Sequence, residues 1–520
     1  MKVRTALFLT LAALVSALAI AGCGGGDGGG SSDSTDPASL APPDSLFFLE
    51  VTRPKGKAAA DVEALAEKIA GIDDLGELIV DELESSALEE GNELDYAKEI
   101  EPWLGNRAAF FPREYDGDDF SEGGAALQTT DAGEAEEFLQ KRIDAAEEPV
   151  REESHEGVDY SVDSEDGSAI GVIGNFIAYA EDEETFQAMV DASDGDSLAD
   201  ETSYVSAITS APKDATATVW ADIGSIVEEE GERIDAETRT GLKLLGIEPK
   251  GATAVASAIP GSDQIVINLS SDITTDPPPA EDNSFLLGSM PGDSVVALAS
   301  SGAGESLANA FDRLDREGVP DEDIKPGELK SVFKQAGIDL DSIAASITNV
   351  AAFAEGGTES SLGGAAVFIA SSAQETVADL GAFLRDAGVD GFTQIKGKVT
   401  GFSIRDPDLG SKPLVVLADE GIHLVVAYGL PAARNYFEFD EELGDNPVFK
   451  EATASLDGLP IAGFADGPAV LRLALNLVTG EDREGLLEAR PYLSKIDFLA
   501  LASESTEDLA KAKLVVSIGK

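Results

Sequence analysis

Side chains able to do chemistry are sparse in these 520 residues: one cysteine, two histidines and a large excess of carboxylates. A lone thiol such as Cys23 can act as a nucleophile, as a soft metal ligand or as the acceptor of a lipid thioether. His155 lies in Glu153-Ser154-His155-Glu156-Gly157, which reads as a loop before a strand. His423 lies in Gly421-Ile422-His423-Leu424-Val425-Val426, which reads as a strand. Either imidazole could serve a serine as general base, but the Gly-x-Ser-x-Gly elbow that exposes such a serine is absent. Ser331-Val332-Phe333-Lys334 sets a serine and a lysine on one helical turn, the spacing of serine acyl-enzymes. The companion Ser-Asp-Asn and Lys-Thr-Gly elements are missing, so this spacing reads as ordinary helix surface. Asp191-Ala192-Ser193-Asp194-Gly195-Asp196 and Asp116-Gly117-Asp118-Asp119 offer hard oxygen ligands for a cation. Neither has the glycine at position six and glutamate at position twelve of a calcium loop, so both read as solvated loops. Gly302-Ala303-Gly304-Glu305-Ser306-Leu307 follows a strand at 294–300 and opens a helix, but Leu307 stands where a dinucleotide loop needs its third glycine. It reads as a tight strand-to-helix turn. Trp103 and Trp220 could stack on sugars or peptides, though the β context of Trp220 favours a core. These readings predict no catalytic residue, no cofactor-binding residue and no metal ligand.

The surroundings of Cys23 are more specific. Lys2 and Arg4 precede an apolar stretch from Leu7 to Ile20, interrupted only by Thr10 and Ser16. That length suits a signal-peptide core and falls short of the roughly 20 residues of a membrane span. Leu18-Ala19-Ile20-Ala21-Gly22-Cys23 then sets small residues directly before the thiol, and this run resembles the box of bacterial lipoproteins. The resemblance implies cleavage between Gly22 and Cys23, a diacylglycerol thioether (with palmitate as the traceable acyl label) on Cys23, and acylation of the new amino terminus. Two or more acyl chains meet the requirement for stable anchoring, which one chain does not. From Gly24 to Pro43 the chain is rich in Gly, Ser, Asp, Thr and Pro, the composition of a flexible tether. Such a tether spans roughly 70 Å fully extended and about 25 Å as a coil.

Composition narrows the partners. Asp and Glu number 99 against 36 Lys and Arg, a formal charge of −63. A field of that sign repels nucleic acid and anionic headgroups and keeps a surface soluble. With no second thiol, a disulfide and every thiolate-rich zinc or iron–sulfur site are excluded. A hydrophobic share of 43% over this length is ample for two cores.

The elements that must position any site repeat once along the chain. Pro43-Asp44-Ser45-Leu46-Phe47-Phe48 returns as Pro291-Gly292-Asp293-Ser294-Val295-Val296, and Asn106-Arg107-Ala108-Ala109-Phe110 as Asn349-Val350-Ala351-Ala352-Phe353. Gly124-Ala125-Ala126-Leu127 returns as Gly364-Ala365-Ala366-Val367, Ile177-Ala178-Tyr179 as Val426-Ala427-Tyr428, and Trp220-Ala221-Asp222 as Phe464-Ala465-Asp466. Between the copies lies a polar connector containing Asp276-Pro277-Pro278-Pro279, which suits neither helix nor central strand. The expected organisation is a signal peptide at 1–22, a tether at 23–42, a first domain at 43–272, a connector at 273–282 and a second domain at 283–520. Strands are predicted at 46–51, 125–129, 158–162, 170–173, 176–180, 216–221, 255–259 and 264–269, with helices at 62–83, 132–146, 183–192 and 233–245. Asp166-Gly167 and Gly174-Asn175 turn three of those strands into a meander, so the sheet is largely antiparallel. The fold class expected is α+β, with two tandem homologous domains and helices covering one sheet face in each.

The box at Cys23, the Gly-rich tether, the Pro-Asp-Ser-Leu-Phe-Phe opening and the later aromatic-Ala-Asp element resemble a family of uncharacterised lipoproteins from high-GC Gram-positive bacteria, domain-of-unknown-function family thirty-three fifty-two. That resemblance implies a membrane-anchored, extracytoplasmic protein, and it carries over no catalytic residue. The expected role is a non-catalytic envelope protein, tethered to the membrane by its lipid, that binds an envelope protein or a small ligand. A solute- or lipid-binding lipoprotein serving a transporter is the alternative, ahead of an envelope hydrolase working through carboxylates.

Overall fold

The computed structural model describes residues 36–519 except 73, 90–93, 116–119, 122, 146–149, 230–249, 273–281, 318–324, 359, 406–410 and 506–508. Gly22 and Cys23, the connector but for Asp282, the predicted helix at 233–245 and the Asp116–Asp119 cluster lie outside the described residues. The described chain forms two compact units, one of residues 36–229 with 250–272, the other of residues 282–519.

In the first unit the strands are β1 (Phe47–Thr52), β2 (Leu104–Phe111), β3 (Gly124–Thr129), β4 (Val150–His155), β5 (Val158–Asp163), β6 (Ala169–Ile173), β7 (Phe176–Ala180), β8 (Ala217–Asp222), β9 (Thr253–Pro260) and β10 (Gln264–Ser271). Its helices are α1 (Lys57–Ala70), α2 (Leu75–Glu89), α3 (Tyr96–Glu99), α4 (Ala132–Ala145), α5 (Glu183–Asp194), α6 (Thr202–Ile208) and α7 (Ile223–Glu229). Hydrogen bonding sets the strand order β10-β9-β8-β1-β2-β3-β7-β6-β5-β4, with every neighbouring pair antiparallel.

The second unit begins with α8 (Ser284–Gly288) and has strands β11 (Val296–Ser300), β12 (Ile347–Glu355), β13 (Gly363–Ala370), β14 (Thr393–Ile395), β15 (Thr400–Ile404), β16 (Leu414–Ala418), β17 (His423–Tyr428), β18 (Ile461–Asp466), β19 (Ile496–Ser505) and β20 (Ala510–Ile518). Helices α9 (Ala303–Glu317), α10 (Leu329–Gln335), α11 (Leu340–Ser346), α12 (Ala373–Asp386), α13 (Leu430–Glu438), α14 (Pro447–Ala454), α15 (Gly467–Leu477) and α16 (Glu481–Leu493) complete it. Its order is β20-β19-β18-β11-β12-β13-β17-β16-β15-β14, again antiparallel throughout. Each strand of this ten-stranded order in the first unit thus has its counterpart ten labels later, in the same place, while the short pair Glu114–Tyr115 and Phe120–Ser121 stands outside it. Among the described residues no helix is long and apolar enough to cross a membrane.

The fold class is α+β as expected, but helices pack on both faces of the sheet rather than one. Strand β7 shows why. Phe176, Ala178 and Ala180 join the core beneath α5 and α6, whereas Ile177 and Tyr179 join the opposite core beneath α2, α3 and α4. Successive side chains point to opposite faces, so a strand apolar at all five positions needs a cover on each side. The second departure concerns the tether. Residues 36–42 are folded: Pro37–Ser39 form a 3₁₀ turn capped by Asp36 Oδ1, which accepts from the Ala38 N–H at 3.2 Å. Ala38, Leu40 and Ala41 are buried in the core of the first unit. The short apolar run Ala38-Ser39-Leu40-Ala41 gains enough by burial to be ordered, whatever the composition around it.

Two smaller corrections follow from local geometry. The helix expected at 62–83 is two helices, because Gly71 adopts a left-handed conformation (φ 70°) and its N–H closes α1 on Ala66 O and Glu67 O. Register also shifts the equivalences within the repeat. Leu46 N–H donates to Pro112 O, and Val295 N–H donates to Ala354 O. Arg107 therefore corresponds to Asn349, and not Asn106 as the Asn-x-Ala-Ala-Phe match suggests. Runs of alanine cannot fix a register, whereas the ladder does.

Candidate functional site

The two histidines sit on paired carboxylates in different settings. His155 is on strand β4, not in a loop, and its Nε2 lies 2.6 Å from Asp191 Oδ1 on α5, an exposed pair. His423 opens β17, where its Nδ1 meets Asp419 Oδ2 at 2.7 Å. Asp419 Oδ1 also accepts the N–H groups of Gly421 at 2.8 Å and His423 at 3.1 Å, so this carboxylate closes the β16–β17 turn. Burial works against its charge, but the bonds to His423 hold its carboxyl below the usual range. The other sequence candidates stay apart. Ser331 Oγ donates to Glu328 O at 2.9 Å, within its own helix, while Lys334 Nζ pairs with Asp339 Oδ2 at 3.3 Å. No group of three metal-ligating side chains occurs among the described residues, and the carboxylates of Asp191, Asp194 and Asp196 face solvent. Gly304 serves packing: a Cβ there would collide with the carbonyl oxygens of Ile347 and Ala344. Trp103 is core, its Nε1 donating to Glu99 O at 2.6 Å.

The most developed polar constellation is one that no motif announced. It lies on the α5/α6 face of the first unit. Arg107 on β2 donates from Nε to Glu50 Oε1 at 2.5 Å and from Nη2 to Glu50 Oε2 at 2.9 Å. Its Nη2 also reaches Asp36 Oδ1 at 3.1 Å. This fork is the bidentate arrangement that gives an ion pair direction as well as strength. Burial opposes the guanidinium charge, yet Glu50 and Asp36 outweigh it and hold Arg107 firmly cationic. Tyr204 from α6 stands over the sheet between Phe48 and Trp220, edge-on to each at 5.6 Å. Burial, reinforced by Asp36 and Glu50, pushes its phenol well above the ordinary value, so the hydroxyl keeps its proton.

Below this ring two buried polar atoms have no hydrogen-bond partner: Trp220 Nε1 and Ser257 Oγ. Trp220 pairs with Val255 and Thr218 with Ser257, so both groups lie on one face of adjacent strands. In the second unit the corresponding positions are Ala299 for Glu50, Asn349 for Arg107, Phe464 for Trp220 and Ala502 for Ser257. Phe449 meets Phe464 edge-on at 5.4 Å, repeating the Tyr204–Trp220 contact without its hydroxyl. The same framework is therefore ionic in one copy and uncharged in the other. Chemically the first copy holds a fixed cation paired with two carboxylates, above buried indole and hydroxyl groups.

Trp220→Phe tests how that indole is held. It removes an unpartnered N–H worth about 1–3 kcal/mol of desolvation and installs the residue of the other unit. Stability should change by less than about 1 kcal/mol, whereas Trp220→Ala should lose about 3–5 kcal/mol. Denaturant titration followed by circular dichroism separates the two outcomes.

Sequence spacing hid this network, because Asp36, Glu50, Arg107 and Tyr204 are scattered over the first unit. The available signal was a single cation inside the apolar run Leu104–Phe111 and a single anion inside Phe47–Val51. Among solved structures, two crystal forms of TP0453 are similar to the chain. Form III shares 12% identity with a TM-score of 0.27, covering 49% of this chain and 87% of that one. Form I shares 11% with a TM-score of 0.24, covering 46% and 80%. No curated protein matches. A family model described as a protein of unknown function (DUF3352) matches residues 78–516, across both units, and the chain belongs to that family.

Proposed function

We propose that this chain is a lipid-anchored extracytoplasmic envelope protein that acts by binding and not by catalysis. The reading rests on the box at Cys23 for the address and on the contrast between the two units for the activity. The carrying observation is the Arg107–Glu50–Asp36 network, built beneath Tyr204 in one copy and replaced by Asn349 and alanine in the other. A duplicated framework that has kept its packing while diverging at this ionic cluster is suited to using the cluster for recognition. Each histidine and the lysine of the Ser-x-x-Lys run have a carboxylate partner, and the serine donates to its own helix. The strongly acidic charge directs partners away from nucleic acid.

Cys23→Ser should abolish palmitate labelling in a lipoprotein-processing host and release the protein from membranes. Labelling that persists in this variant removes the anchor from the proposal. Purified soluble chain should leave a panel of ester, glycoside and peptide substrates unchanged, and turnover of any of them removes the non-catalytic reading.

A further inference from the structure

At one place the repeat has reversed a charge. In the first unit Ser45 donates from N–H and Oγ to Pro42 O, forming a turn that presents Asp44. Arg113, just past β2, holds Asp44 in a fork, Nε to Oδ1 at 3.2 Å and Nη2 to Oδ2 at 2.7 Å. The second unit builds the same turn, with Ser294 donating from N–H and Oγ to Pro291 O. The matched bonds Leu46 N–H to Pro112 O and Val295 N–H to Ala354 O put Glu355 where Arg113 stands and Asp293 where Asp44 stands. Two carboxylates now face each other in place of an ion pair.

Asn435 on α13 bridges them. Its Nδ2 donates to Asp293 Oδ1 at 3.3 Å and, more closely, to Glu355 Oε2. One neutral amide cannot compensate two anions. Lys412 acts on Glu355 as a cation, but its Nζ donates to Leu362 O and lies 6.0 Å from the Tyr428 ring centroid. Glu441, from the segment packed on the turn, meets Gly292 through its backbone carbonyl and brings no positive charge. Burial first, then Asp293, raise the Glu355 carboxyl above its usual range, against the opposing pull of Asn435 and Lys412.

We propose that Glu355, Asp293 and Asn435 form a proton-operated clasp joining the Pro291–Ser294 turn to the end of β12, with Asn435 of α13 as its fixed bridge. With a proton on Glu355, its O–H supplies a donor to the carboxylate pair while Asn435 donates alongside, and three elements close on one another. Without it, the like charges of Glu355 and Asp293 push the turn off the strand, while Asn435 on α13 still donates to the Glu355 carboxylate. A carboxyl raised in the folded state stabilises fully below its unfolded value, near 4.5, and that contribution is lost as pH rises through the folded value.

Hydrogen exchange on the full soluble chain, corrected for intrinsic rates, tests this at pH 4.5 and pH 7. Protection over 290–296 should fall at least about threefold more on going to pH 7 than protection over 42–47, a one-unit difference in a proton equilibrium being tenfold. Glu355→Gln, which keeps the shape and removes the charge, should abolish that fall. Glu355→Arg should reverse it by rebuilding the ion pair with Asp293. A fall of equal size in Glu355→Gln, or none in the unaltered chain, overturns the clasp.

Discussion

Arg107→Ala is expected to destabilise the first unit by about 2–3 kcal/mol. Removing one partner of a buried pair typically costs about 3–5 kcal/mol, because the other charge stays buried and uncompensated. Here the side chains of Arg107 and Glu50 retain 27% and 16% exposure, so water screens part of that penalty. The second unit supplies the control. Arg107→Asn combined with Glu50→Ala installs the residues found at Asn349 and Ala299, on a framework with the same strand order. That double variant should return to within about 1 kcal/mol of the original, since replacing both partners of a buried pair is close to neutral. Equilibrium denaturation of the original chain, Arg107→Asn, Glu50→Ala and the double variant measures the coupling directly. Additive losses would mean that Arg107 and Glu50 act independently, and the network would lose its meaning as a unit.

Much of the fold was legible because strands and helices leave periodic marks. The meander at 158–180, the strands at 216–221 and 255–269 and the helix at 132–145 stand where alternation and turn residues put them. What failed was tertiary. A helix-period pattern ran through Gly71, and only the backbone shows that this glycine closes one helix before another begins. Composition labelled residues 36–42 as tether, although burial of three small apolar side chains was enough to order them. The expectation of one covered face came from treating an antiparallel sheet as half-solvated. The uninterrupted apolar run Phe176–Ala180 already argued for two covers.

The candidate network was less legible, for a physical reason. Ion pairs across a sheet depend on register, and register is a property of the ladder and not of local sequence. Glu50 and Arg107 are 57 residues apart, and nothing near either one names the other. The duplication could have revealed them. Aligned correctly, the two copies differ in charge at Glu50/Ala299, Arg107/Asn349 and Arg113/Glu355. An alignment resting on Ala-Ala identities is one residue out at β2, where it sets Arg113 against Gly356 and so hides the reversal to Glu355. Divergence within a repeat is thus readable from sequence only after the hydrogen bonds have set its frame.

Gly304→Ala should be the more damaging change, destabilising the second unit by about 2–4 kcal/mol. Gly304 lies in the first turn of α9, and the groups that its missing Cβ would strike are backbone carbonyls at the end of α11 and the start of β12. A flexible side chain could swing aside from an added methyl, but a carbonyl cannot move without its whole element. Helix α9 would have to lift from α11 and β12, opening the core that holds Leu307, Ile343 and Ile347. Neighbouring Gly302, with φ 64°, gives the contrast. Substitution there strains only the local backbone, and the loss should be near 1 kcal/mol. If Gly304 served a bound phosphate instead, its replacement would leave stability intact and change ligand affinity alone. Thermal unfolding of the two variants, measured without any added ligand, decides between packing and phosphate.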